Sequence, residues 1–225
     1  VVYVYGSFLQ SKMYAQGVRC TDCHDAHAAN RVAEGNAGCM QCHSEAGNAR
    51  CPSLGKRDYD TPDHHCHPAD RAGAECKSCH MIERVYMGVD GRRDHSFRVP
   101  RPDLSVETGA PNACTDCHAD KGPAWAAKEI AKRHPDSDHR GPHYSQVLAP
   151  ARQNPAAHLG GLMDIADLDS LPGIVRASAL ELLAEAATPG AAGRMAWHLE
   201  DAGPGVRAAA PSVQGAAPPR EAGVW

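Results

Sequence analysis

The sequence predicts a chain of two parts, an N-terminal module with little regular secondary structure and an all-α C-terminal region. Three observations point there. Large apolar residues are sparse before residue 120, and the 225-residue chain has only two Phe and three Trp. All ten Cys lie between residues 20 and 117. From about residue 125 onward, Ala- and Leu-rich helical patterns take over. The expected division is a module at 1–124, a helical region at 125–210 and a linker or tail at 211–225, "PSVQGAAPPREAGVW", rich in Pro, Gly and Ala.

A module so poor in core-forming side chains struggles to bury enough apolar surface to offset its conformational entropy. Something other than protein side chains must fill it, and its Cys and His content indicates what. Eight of the ten Cys fall in four copies of one pattern. These are Cys20-Thr21-Asp22-Cys23-His24, Cys39-Met40-Gln41-Cys42-His43, Cys76-Lys77-Ser78-Cys79-His80 and Cys114-Thr115-Asp116-Cys117-His118. Composition alone predicts about 0.03 copies. Two thiols three positions apart reach the two vinyl groups of one haem, and the next His is then placed under the iron. Four copies imply four covalently bound c-type haems, whose macrocycles supply the missing core. Zinc ribbons would use the C-x-x-C pairs two at a time, but give no reason for a His after every second Cys. A thioredoxin-type disulfide would need one such pair in a βαβ context.

The proximal ligands are then His24, His43, His80 and His118, and ten further His remain. An iron with His on both faces changes little on reduction and suits electron transfer, whereas an enzyme needs an open position. The distal candidates lie in the Cys-rich half. His27 follows His24 by three residues and cannot turn back under its own haem, so it is expected to serve a neighbouring one. His95 lies in "RRDHSF". In "TPDHHCHPAD" at 61–70, the pair His64 and His67 is favoured by its i, i+3 spacing, which places both on one side of a helical turn. His65 and Met13 are alternatives. Arg84, Arg92, Arg93, Arg98 and Arg101 cluster in the same region, and one or two of them are expected to hold haem propionates.

Cys51 and Cys66 are left over. A disulfide between them would rigidify the loop by about 3 kcal/mol in the chain-entropy model. A fifth haem on Cys51, Cys66 and His67 would need an unusually wide attachment spacing, and two free buried thiols are the remaining alternative.

The segments "YGSFLQSKMYAQGVRCTDCHDAH", "DTPDHHCHPAD", "CKSCHMIERVYMGVDGRRDHSFRVPRPDL" and "PNACTDCHADKGPAW" cover most of residues 5–125. They resemble exported multihaem c-type cytochromes in which a Cys-rich module precedes HEAT- or TPR-type helical repeats. The resemblance implies haem attachment at the four motifs and axial ligation by His27, His95 and members of the 64–67 trio. The family's trio usually reads His-His-Phe-His. Here Cys66 replaces the aromatic, and Cys51 also stands where an aromatic is common, which bears on the packing of this loop. Some small multihaem cytochromes polymerise into extracellular filaments, the cytochrome nanowires, and self-association is an expectation by analogy.

The C-terminal region carries an imperfect repeat. Asp169 and Pro172 precede Val175-Arg176, and Asp201 and Pro204 precede Val206-Arg207. Asp and Pro at helix starts with an Ala/Leu face suit stacked, HEAT-like hairpins. Helices are expected at 125–134 and 143–152.

The expected fold class is thus a haem-packed multihaem cytochrome c with short helices, followed by an all-α HEAT-like part. The expected function is electron transfer with redox partner proteins, periplasmic or extracellular. The competing reading is an oxidoreductase acting on a small nitrogen or sulfur compound at a haem with an open axial site. Charge is nearly balanced, 23 basic against 27 acidic residues, so nucleic acid is not an implied partner. No segment is long and apolar enough to span a membrane. The chain starts at Val1 without Met, as removal of an export signal would leave it.

Overall fold

The computed structural model describes residues 3–52, 54–186 and 189–210. The tail expected at 211–225 lies outside them. The chain divides into two compact units, Val1–Arg140 and Gly141–Trp225.

The first unit is built from short pieces. Helices α1 (Val4–Phe8), α2 (Lys12–Ala15), α3 (Ala37–Met40), α4 (Pro62–His65) and α5 (Cys76–His80) are each one turn or little more. A hairpin of β1 (Glu83–Tyr86) and β2 (Asp90–Arg93) follows, antiparallel with Glu83 opposite Arg93 and Tyr86 opposite Asp90. Met87 and Gly88 at its bend both have positive φ, 53° and 79°, as a primed hairpin turn requires. Helices α6 (Pro102–Thr108), α7 (Ala113–Cys117) and α8 (Gly122–Arg133) complete the unit. The division falls at 140 rather than 124 because α8 packs on α6 and α7, so the first helix expected in the C-terminal region belongs to the Cys-rich unit.

Among the described residues, the buried apolar side chains of this unit are few: Phe8, Ala74, Pro102, Leu104 and Ala126. Phe8 meets Tyr14 and Phe97 edge-on at 5.7 and 6.4 Å. Side chains of this size fill little volume, in line with the composition.

The second unit has a conventional core. It holds α9 (Ser145–Ala151), α10 (Leu159–Asp167), α11 (Gly173–Glu185), α12 (Pro189–Met195) and α13 (Pro204–Ala209). Helix α11 packs on α10 and α13. Leu148, Leu162, Ile165, Leu180, Leu183, Met195 and Val206 are all buried in one cluster. The repeat read from the sequence marks real helix starts: Pro172 precedes α11, and Pro204 opens α13.

Arg176 ties these helices together. It is 6% exposed. Its Nε donates to the Ala166 carbonyl at 2.7 Å, and its two terminal nitrogens reach the Asp201 carboxylate at 3.3 and 2.5 Å. His198, also buried, donates from Nε2 to Asp167 at 3.0 Å. Burial by itself would raise Asp201, but the Gly203 N–H and the Arg176 guanidinium outweigh it and hold the carboxyl below its ordinary value. A carboxylate depressed in the folded state stabilises the fold above its unfolded value of about 3.9 and loses that contribution as pH falls through the folded value. Thermal melts of the full-length protein, followed by far-ultraviolet circular dichroism, are therefore expected to lose a stabilising contribution below about pH 4 that Asp201→Asn lacks.

Candidate haem-binding sites

Each Cys-x-x-Cys-His motif sits on one turn of helix. His24, His43 and His118 donate their backbone N–H to the carbonyl of the first Cys of their own motif, at 2.9, 3.0 and 2.8 Å. The third motif is α5 itself, from Cys76 to His80. An i to i+4 turn places the two thiols and the imidazole on neighbouring faces of one short segment, the disposition covalent haem attachment needs. The fourth turn is nucleated locally: Asn112, buried at the start of α7, accepts from the Thr115 N–H at 3.1 Å.

The imidazoles come in pairs. His24 lies 6.4 Å from His95 between ring centres, His80 lies 6.2 Å from His64, and His118 lies 6.2 Å from His67. The interplanar angles are 33°, 8° and 26°. A ring centre lies about 1.1 Å from its own nitrogen and a metal–imidazole bond is about 2.0–2.1 Å, so two rings sharing one metal have centres about 6.3 Å apart. All three pairs meet that spacing, and each joins the His of a motif to a His from elsewhere in the unit.

Hydrogen bonding orients the rings for this role. Nδ1 of His24 faces the Ala29 carbonyl at 3.0 Å, that of His80 the Arg98 carbonyl at 2.9 Å, that of His95 the Arg93 carbonyl at 3.0 Å and that of His67 the His65 carbonyl at 2.5 Å. A backbone acceptor at Nδ1 fixes the tautomer and leaves Nε2 for the metal. His64 differs: its Nδ1 is buried without a hydrogen-bond partner. Burial first, then the nearby His80, Arg57 and His134, bring its pKa down to about 4. Burial likewise lowers His43 and His80. These rings are therefore held neutral at ordinary pH, the form that binds iron.

The 64–67 trio is split between two sites. Helix α4 ends at Cys66 in the left-handed region, φ 65°, with its N–H on the Pro62 carbonyl at 2.8 Å. The chain turns there, so His64 meets His80 while His67 meets His118. His65 places a buried, unpartnered Nε2 inside the unit, and its Nδ1 accepts from the His67 N–H at 3.3 Å. His43 has no His opposite it among the described ring contacts; it meets Tyr59 edge-on at 5.8 Å, and Tyr59 meets His64 at 5.2 Å. His134, at the end of α8, approaches His64 at 6.0 Å with its ring turned by 64°.

Two sequence expectations, the His27 ligand and the Cys51–Cys66 bridge, differ from this arrangement. His27 is exposed and pairs with no ring among the described residues. The Asp25 carboxylate accepts the N–H groups of His27 and Ala28 at 3.0 and 2.7 Å, and this tight turn leaves the His27 side chain in solvent. Cys51 and Cys66 are both free rather than bridged. The left-handed turn at Cys66 directs its thiol to the His64 carbonyl, 3.7 Å away, and into the neighbourhood of Cys79 and Cys114. The arginine cluster is largely neutralised by protein: Arg84 pairs with Asp116 at 2.8 Å, Arg92 with Asp90 at 2.5 Å, Arg93 with Glu83 at 3.1 Å and Arg101 with Asp103 at 2.7 Å. Met13, the thioether alternative, is half-buried on α2.

One residue the sequence does not single out is Gly73. A Cβ there would lie 2.5 Å from His67 Cδ2 and 2.8 Å from its Nε2. Only glycine lets this backbone approach the imidazole face. Gly73→Ala is expected to displace His67 and, where His67 is an iron ligand, to convert one haem from low to high spin, read by the Soret band and electron paramagnetic resonance. A normal spectrum would show that His67 is not a ligand.

A zinc ribbon would need thiols converging on one point. Among the described residues no group of three or more His, Cys, Asp or Glu side chains does so. No described helix is long and apolar enough to cross a membrane.

A protein-family model described as the doubled CXXCH motif matches residues 12–48, the segment with the first two motifs. No curated protein and no solved structure matches the chain. The doubled motif indicates covalent haem c and electron transfer, and it is typical of electron-carrier cytochromes. Such a motif also implies export from the cytoplasm, because the thioether bonds are made outside it.

Proposed function

We propose that the first unit holds four haems and passes electrons between redox partners outside the cytoplasm. The observation that carries this reading is the set of three His–His ring pairs at 6.2–6.4 Å, each joining a motif His to a distal one. In this reading Cys20 and Cys23, Cys39 and Cys42, Cys76 and Cys79, and Cys114 and Cys117 hold the haems through thioethers. His24 with His95, His80 with His64, and His118 with His67 supply axial nitrogens, and His43 is the proximal ligand of the remaining site. The haems supply one-electron redox chemistry when bound. The chain's own contribution is to fix imidazole orientation through backbone carbonyls, to keep His43, His64 and His80 neutral by burial, and to hold the sites within one small unit. The second unit, with its paired Asp–Pro–Val–Arg segments, is read as a short HEAT-like array. Net flow requires a donor and an acceptor protein; a filament is the case in which both are further copies of this chain.

Anaerobic reductive titration of the full-length protein tests the reading. Four electrons per chain are expected, with no consumption of nitrite or hydroxylamine by the reduced protein. Sustained turnover of either compound would instead favour the oxidoreductase.

A further inference from the structure

The four motifs are not equivalent in their connections. The fourth is tied to the third. Helices α5 and α7 pack on each other, and the imidazoles facing His80 and His118 come from one turn, His64 and His67. The second motif is also tied to the third. Asn36, which begins α3, donates to the Ala74 carbonyl at 3.0 Å and accepts from the Cys76 N–H at 2.9 Å. Tyr59 then stands between His43 and His64, at 5.8 and 5.2 Å. The first motif reaches the third through four residues: His95 faces His24, and the carbonyl of Arg98 holds His80.

The geometry points to the third site, Cys76, Cys79 and His80 with His64, as the junction through which the fourth site exchanges electrons with the first and second. This inference rests on the proposed haem loading. With haems bound as proposed, each step would move one electron from a reduced haem to its oxidised neighbour. The initial donor is an external one-electron reductant.

The test uses the full-length, haem-loaded protein with the fourth site marked by His67→Met, since thioether ligation raises the potential and separates that haem's spectrum. Electrons are injected by a photoexcited one-electron reductant, and their arrival at the marked haem is followed optically. Haem count and spin state of the unmarked protein are measured first; a shortfall there would overturn the haem reading itself and not the junction. Removing the second haem by Cys39→Ala with Cys42→Ala is expected to leave redistribution to the marked haem intact. Removing the third by Cys76→Ala with Cys79→Ala is expected to abolish it. If that protein fails to fold by circular dichroism, His64→Gly, which keeps the thioethers, is expected to slow redistribution. Undiminished redistribution in the third-site variant that folds would overturn the proposal.

Discussion

With the haems bound as proposed, His95→Ala is expected to turn one of them from six-coordinate low spin to an open, carbon monoxide-binding site. The pair His24 and His95 is the best anchored of the three. Both rings have Nδ1 on a backbone carbonyl at 3.0 Å. The His95 backbone is held as well, its N–H on the Ser7 hydroxyl at 3.0 Å. Ser7 is buried and donates in turn to the Val4 carbonyl, so α1 helps fix the position of this imidazole. Alanine leaves those backbone bonds in place and removes only the ring. The haem stays covalently attached through Cys20 and Cys23, so the count does not change while the spin state does. His27→Ala, at an exposed position, is expected to leave the spectrum unaltered. A change of ligation in His27→Ala and none in His95→Ala would reverse the assignment.

Asp201→Ala is expected to destabilise the second unit by about 3 kcal/mol, seen as a lowered melting transition in the full-length protein. Arg176 would be left with a buried guanidinium whose bidentate partner is gone. Removing one member of a buried pair costs about 3–5 kcal/mol because the remaining charge is uncompensated. The lower end applies here, since Asp169 also reaches Arg176 at 3.0 Å from an exposed position. Arg176→Met, which removes the charge and keeps most of the packing, is expected to cost less than Asp201→Ala. The ratio of haem to protein is expected to stay at its original value in both variants, because every proposed ligand lies within residues 1–140.

The four Cys-x-x-Cys-His motifs are legible in the sequence by their spacing, and the structure puts each of them on one helical turn. The distal side was readable only in part. His95 and the 64–67 trio stood out as His with no other evident task. That His64 and His67 face different partners depends on the left-handed turn at Cys66, which has no local sequence mark such as Gly. The turn around Asp25 removes His27 from the interior by two hydrogen bonds that any Asp-x-His segment can make. The left-handed turn at Cys66 sends its thiol toward the His64 carbonyl, which counting leftover cysteines does not reveal. Gly73 was invisible for the opposite reason. Its importance lies in a contact with His67, and a single Gly among the chain's 21 carries no label. The unit boundary lies at 140 because α8 packs against α6, a contact that Cys content does not mark.

In the proposed state four haems are covalently held in the first unit, at least three of them between two imidazoles. The most direct measurement is a haemochrome count with intact mass, joined to electron paramagnetic resonance of the fully oxidised, full-length protein. Four haems per chain with at least three low-spin, bis-imidazole signals are the expected result. Fewer than four covalent haems, or a spectrum dominated by high-spin iron, would contradict it.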